Sequence, residues 1–196
     1  VSYGKDYCGN DVSYFSIYQT HRGLTVTATS DVAVSAAPEV VPDDTAPWEQ
    51  VAAQLKTDRA VEVLDAYQYV FDSSSIQRFP ELAEYVKPSF PAGRPILAGV
   101  IDLTARIYND FTYDPRATTV HTPIREVFEQ RHGVCQDFAH LQIGCLRSIG
   151  LAARYVSGYL RTEPPPGKPR LVGSDASHAW LAVYCGEAGW VGIDPT

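Results

Sequence analysis

Cys135 lies in the run Gly-Val-Cys-Gln-Asp-Phe-Ala-His, from Gly133 to His140, where a turn delivers a thiol onto the start of a helix. Downstream stand His-Ala-Trp (His178 to Trp180) and Asp-Pro-Thr (Asp194 to Thr196). A thiol, an imidazole and a carboxylate in that order supply a nucleophile, a general base and the group that orients the base. Together these are the parts needed for acyl transfer through a thioester. Gln136 and Asp137, beside the thiol, read as first-turn helix residues favoured by the helix dipole rather than as chemical participants.

The elements that must position these groups follow from periodicity. Apolar or small side chains fall at Cys135, Phe138, Ala139, Cys145, Leu146 and Ile149, the spacing of one buried helical stripe, and Gly150 supplies a stop. Cys135 is then at the helix N-terminus, where unpaired backbone N–H groups carry about half a positive charge and favour thiolate over thiol. The same groups can receive the oxyanion of a tetrahedral intermediate. A dipole supplies only roughly 1–2 kcal/mol, so full activation requires a neighbouring histidine.

Five histidines are available, at 21, 121, 132, 140 and 178. His140 is five residues along the same helix, which turns it away from Cys135, and His132 precedes the turn without an orienting partner. From Ser177 to Cys185, His178, Trp180, Ala182 and Tyr184 alternate with Ala179, Leu181, Val183 and Cys185, a strand pattern. In Gly189 to Asp194, Trp190, Gly192 and Asp194 share a face. A hairpin across Gly186 to Gly189 would let Asp194 accept the ring N–H of His178 and fix its tautomer.

Together, Gly133 to His140, Leu146 to Leu160, Asp175 to Trp180 and Gly189 to Thr196 resemble the bacterial transglutaminase-like proteins, which belong to a wider papain-like superfamily. The resemblance runs from about Ala46 to Thr196 and implies catalytic roles for Cys135, His178 and Asp194. It implies an α+β fold of the papain-like, transglutaminase-core kind, with the nucleophile-bearing helix packed on an antiparallel β-sheet. The activity it implies is thioester-mediated cleavage of peptide or protein amides. Cross-linking of glutamine side chains to amines is the alternative, and a non-catalytic binding module that keeps the fold is a third reading. Hydrolysis is favoured because no second, amine-binding feature is recognisable. Papain-like enzymes take a second oxyanion donor from an upstream glutamine, and animal transglutaminases from a tryptophan. Trp48 is the one tryptophan upstream here, with Tyr113 and Gln130 as candidate substitutes.

Other chemistries fit less well. His132, Cys135 and His140 lack the Cys-x-x-Cys or His-x-x-x-His spacing of structural zinc sites, and no glycine-rich phosphate loop is present, so no metal or dissociable cofactor is implied. The net charge of −7 argues against nucleic acid as a partner and offers no basic face to an anionic membrane. No apolar run approaches the roughly 20 residues that span a bilayer. Four scattered cysteines, at 8, 135, 145 and 185, do not make a disulfide scaffold, and Cys145 and Cys185 read as buried hydrophobes. A reducing cytoplasm is the expected compartment, since a nucleophilic thiol must stay reduced.

Three regions are expected along the 196 residues. Residues 1–36 read as a β-hairpin, Val12 to Tyr18 and Leu24 to Val34 around His21 to Gly23. By analogy with the family it resembles, this is the C-terminal part of an N-terminal β-domain in a longer protein. Residues 37–46, rich in Pro and Asp, read as a linker, and 47–196 as the catalytic core. Helical spacing predicts helices from Pro47 to about Leu55, at 60–71, 80–86 and 96–111, and from Pro123 to Gln130. Strands are expected at Ala153 to Leu160, Ala179 to Cys185 and Gly189 to Ile193, completing an α+β layer. The proline-rich stretch Arg161 to Asp175 is expected to be extended, and it reads equally as a wall of the substrate cleft or as a plain connector.

Overall fold

The structure is a computed structural model and describes residues 1–160 and 176–196; the proline-rich stretch 161–175 lies outside them. Its contacts divide the chain into two units, Val1–Pro38 and Glu39–Thr196.

In the first unit the hairpin falls earlier than the alternation predicts. Strand β1 (Ser2–Lys5) pairs antiparallel with β2 (Asp11–Tyr14), while 24–34 carries no strand. Polar turn chemistry sets this register. Both carboxylate oxygens of Asp6 accept from Asn10, from its backbone N–H and its side-chain amide, at 2.8 Å each. Gly9 takes the positive φ of 84° that a side chain would disfavour, and Lys5 pairs with Asp11 at 2.8 Å.

In the second unit, residues 39–46 join the core rather than hanging as a tether. A 3-10 turn at Pro42–Asp44 leads to Thr45, whose hydroxyl accepts the Leu97 N–H at 3.2 Å, and the Ala46 carbonyl accepts Ile96 N–H at 2.9 Å. Helices α1 (Trp48–Thr57), α2 (Val61–Tyr67), α3 (Pro80–Val86) and α4 (Ile96–Asp110) follow. Pro47 stands just outside α1 as its N-cap, and the expected helix 60–71 tightens to a 3-10 turn at Gln68–Val70. The buried stripe of α4, Ile96, Val100, Leu103 and Ile107, is fully excluded from solvent.

Beyond α4, the two-residue strands β3 (Thr112–Tyr113) and β4 (His132–Gly133) pair in parallel around α5 (Ile124–Gln130). These strands are too short for periodicity to reveal. Helix α6 (Cys135–Ser148) is the centre of the unit and packs against α3, α4, α5 and one face of a three-stranded sheet. That sheet, in the order β5 (Ala153–Leu160), β6 (Ala176–Tyr184), β7 (Trp190–Ile193), is antiparallel throughout. The expected α+β architecture, a cysteine-headed helix on an antiparallel sheet, is therefore the one observed.

Leu146, at 0% exposure, is a probe of this packing. Leu146→Ala should cost about 2–5 kcal/mol in urea unfolding. Tyr18→Ala, at 96% exposure, should stay within about 0.5 kcal/mol. A loss below about 1 kcal/mol at Leu146 would contradict the packing.

Candidate active site

The approach to Cys135 begins at Arg131, which ends α5 in the left-handed region with φ 59°. That conformation is uncommon for a residue with a side chain. Here the guanidinium lies over the Phe128 ring at 4.4 Å and the Phe111 ring at 4.6 Å, contacts that hold the turn. Thr112 N–H donates to Arg131 O at 2.8 Å and Asp114 N–H to Gly133 O at 2.9 Å, which aligns the last residues before the helix.

Asp137 then folds back. Its Oδ2 accepts the Val134 N–H at 2.9 Å and the Thr118 hydroxyl at 2.6 Å, and the residue is only 2% exposed. This is the return half of a capping box, satisfying a donor at the helix start. A Cβ on Gly133 would meet Asp137 Cβ at 2.8 Å and Oδ2 at 2.9 Å, so the turn requires glycine there. Cys135 thus becomes the first residue of α6, half-buried and reduced.

The other two groups come from the sheet. His178 on β6 and Asp194, just past β7, fall on one face, as the alternation predicts. His178 Nε2–H donates to Asp194 Oδ2 at 2.6 Å, and the imidazole side chain is only 10% exposed. An ionised carboxylate can only accept, so this bond puts the proton of a neutral ring on Nε2 and leaves Nδ1 as a base. Asp194 is itself oriented, since Oδ1 accepts the Thr196 N–H at 3.0 Å.

Trp180 buttresses the histidine, its ring stacked at 24° with centroids 6.1 Å apart. Its indole covers Gly158 of β5, where a Cβ would come within 2.6 Å of the ring. The sequence offered a signal for this wedge that periodicity alone passes over: a glycine inside a strand, which marks close approach of another group.

Tyr155 on β5 is near enough to Cys135 to feel its charge. Burial first, and then the neighbouring Cys135 and Asp137, push the Tyr155 hydroxyl above its ordinary pKa. The ring also packs against His140 at 5.0 Å. Burial pulls the His140 pKa below its ordinary value, against the opposing pull of Asp137.

Two other thiols are set apart. Burial pushes Cys145 and Cys185 up to about 12, so they stay protonated at neutral pH and behave as the small hydrophobes their positions suggest. Among the oxyanion candidates, Trp48 donates its indole N–H to Pro91 O at 3.1 Å and Gln130 its amide to Glu126 at 3.0 Å, so both are engaged elsewhere. Tyr113 pairs with Gly133 through its backbone and leaves its side chain half-exposed. His132 is exposed, with Nδ1 donating to Gln130 O at 2.6 Å. Among the described residues no group of three or more His, Cys, Asp or Glu gathers in a way that could hold a metal ion.

Comparison with known proteins decides the family. The family model of the transglutaminase-like superfamily matches residues 91–195, more than half of the chain. The chain belongs to the transglutaminase-like superfamily. Over its whole length this transglutaminase-like chain is 44% identical to a Mycobacterium tuberculosis protein named as uncharacterized, of which it spans 63%. It is 33% identical over 102 residues to a Pseudomonas aeruginosa protein named protein-glutamine gamma-glutamyltransferase, covering 48% of this chain and 15% of that one. Among solved structures, a Cytophaga hutchinsonii protein described as a candidate cysteine protease superposes with TM-score 0.58 at 27% identity, over 72% of this chain and 44% of that one. The periplasmic domain of TgpA from P. aeruginosa, bound to ethylmercury, gives TM-score 0.50 at 26% identity over 67% of this chain and 48% of that one.

The Asp137 cap gives a direct test. Asp137→Ala should destabilise by about 2–4 kcal/mol and Thr118→Val by about 1–2 kcal/mol in urea unfolding. The double variant should lose less than the sum, because both substitutions delete the same bond. Strict additivity would show that the bond contributes nothing.

Proposed function

We propose that this transglutaminase-like chain is a cysteine-dependent acyl-transfer enzyme that cleaves peptide or protein amide bonds through a thioester. Cys135 is the nucleophile, His178 the general base and acid, and Asp194 the orienting carboxylate. The observation that carries this reading is the 2.6 Å bond from His178 Nε2 to Asp194, on a sheet packed against the helix that Cys135 heads.

His178 Nδ1 accepts the Cys135 thiol proton as sulfur attacks the amide carbonyl. Backbone N–H groups at the start of α6 receive the oxyanion. The imidazolium, held by Asp194, returns its proton to the departing amine and the thioester remains. Water, deprotonated by the same imidazole, then releases the acid and regenerates the thiol.

Hydrolysis and transamidation differ only in whether water or an amine takes the acyl group. We favour hydrolysis, since the sequence offers no recognisable amine-binding feature. Transamidation of glutamine side chains is the second reading, favoured by the similarity to the P. aeruginosa glutamyltransferase. A binding module without catalysis would have no need of a histidine held in the tautomer a base requires.

The chain spans about two thirds of the length of its mycobacterial relatives, and no described helix is long and apolar enough to cross a membrane. A reducing cytoplasm is the compartment we propose, because Cys135 works as a free thiol. The TgpA domain, a periplasmic one, supplies the alternative. Recovery of the natural protein in the periplasmic fraction of its source cells would overturn the cytoplasmic assignment.

The deciding measurement is iodoacetamide labelling at pH 6.5, mapped by peptide mass spectrometry, with exposed Cys8 as internal reference. Cys135 should label roughly tenfold faster than Cys8, with the excess lost in His178→Ala. Cys145 and Cys185 should label only after unfolding. Equal rates for Cys135 and Cys8 in both proteins would reject the activated thiol. A carbobenzoxy-Gln-Gly probe then separates the two outcomes. Hydrolysis releases ammonia and the free acid, and transamidation in hydroxylamine yields the hydroxamate.

A further inference from the structure

Beside the first turns of α6 runs a groove of about 590 Å3, between the turn before α3, the start of α5 and His140. Its volume is within the range of small-molecule and side-chain sites. Arg78, Arg125, His121 and His140 line it, with Phe79 and Gln77, and among the described residues no carboxylate lines it. The charged side chains on its wall are these two guanidiniums, each paired with a carboxylate that stands outside the lining, Asp72 and Glu81.

The two guanidiniums are braced from outside the groove. Arg78 Nε donates to Asp72 at 2.6 Å and its Nη1 to Arg147 O at 3.1 Å. Arg125 Nη1 donates to Glu81 at 3.3 Å while its guanidinium lies over the Phe79 ring at 4.3 Å. A guanidinium carries five N–H donors in a planar fork, so each of these pairings uses only part of it. What remains is the geometry that binds a carboxylate with two parallel bonds.

The groove also adjoins the thiol. Gln136, the residue after Cys135, donates its amide to Val120 O at 3.3 Å, and Val120 is on the groove wall. His140, on the same wall, is five residues along α6 from Cys135, about 7.5 Å up the axis but turned to another side of the helix, so the groove neighbours the thiol through Gln136 and Val120. A substrate running from the sulfur past Gln136 would enter the groove at Val120.

We propose that this groove is a substrate subsite for a carboxylate, with Arg125 and Arg78 as its binding residues and His140 as part of its wall. The assignment rests on the amide-cleaving reading of Cys135, since it makes the occupant part of the substrate. The carboxylate belongs either to an acidic side chain or to a peptide C-terminus, and the test separates these sources.

Three fluorescein-labelled peptides, Glu-Glu-Glu amide, Gln-Gln-Gln amide and Gln-Gln-Gln free acid, are titrated with the whole chain by fluorescence anisotropy at physiological salt. At least one carboxylate-bearing peptide should bind roughly tenfold tighter than the neutral amide. Preference for the first means a side-chain carboxylate, and preference for the third a C-terminal one. Arg125→Gln, checked to unfold at the wild-type temperature, should lose most of that preference, and Arg125→Lys should recover part of it. Equal binding of all three peptides, or a preference untouched by Arg125→Gln, overturns the subsite. Wild-type Cys135 labelling, measured alongside, keeps the two readings apart. Peptide discrimination with an unreactive thiol leaves the binding site and removes the enzyme, while a reactive thiol without discrimination does the reverse.

Discussion

Everything in the second unit hangs on where α6 begins, and a buried carboxylate decides that. Asp137 accepts the Val134 N–H, so the chain must turn at Gly133 and enter the helix at Cys135. One residue earlier or later would rotate the thiol by about 100° around the helix axis. The far end is fixed as firmly. Gly150, with φ 83°, stops the helix, and the buried Arg147 reaches from its last turn to the Ala153 carbonyl at 2.9 Å. Helix and sheet are thus tied at the point where β5 starts, so the helix cannot slide along the sheet without breaking that bond.

Sheet register then transmits this placement to the other two groups. Ala179, Leu181 and Val183 are buried, and His178, Trp180 and Ala182 alternate with them. A slip of one residue in β6 would carry His178 to the opposite face and bury its imidazole among aliphatics. The buried face therefore specifies the histidine's position without any contact to the histidine itself. Trp180 adds a local restraint that requires an absent side chain at Gly158.

How much of this the sequence reveals depends on what sets each element. Helices α3 and α4 and strand β5 were legible to within a residue because an apolar period coincides with a proline or a polar boundary. The His178 and Asp194 pairing was legible too, because two alternating runs separated by glycines leave one simple register. The first hairpin was not. The alternation at 12–34 has no buried face behind it in its own unit, whereas the true turn closes through Asp6, Gly9 and Asn10, which hydrophobic periodicity does not weigh. The Asp137 cap was half legible. Its place in the first turn was clear, but its burial depends on Thr118, nineteen residues away, and on the two-residue bridge between β3 and β4.

The same logic explains why a fold of this kind suits thiol chemistry. The hairpin joining β6 to β7 turns at Gly186 and Gly189, with φ 69° and 68°, and is closed by Cys185 N–H to Gly189 O at 2.8 Å. The distance between imidazole and carboxylate is therefore set by a rigid ribbon and not by a loop. Cys135 comes from a different element whose axis is fixed at both ends. In the proposed mechanism one surface, that of α6 against β5 and β6, sets where the thiol stands relative to the His178–Asp194 pair. Small buried residues, Ala139 on the helix and Ala153 and Ala179 on the sheet, leave that surface little side-chain freedom to lose. On the proposed reading, substrate preference is set at the groove walls, in the turns before α3 and α5, and the chemistry stays with the helix and the sheet.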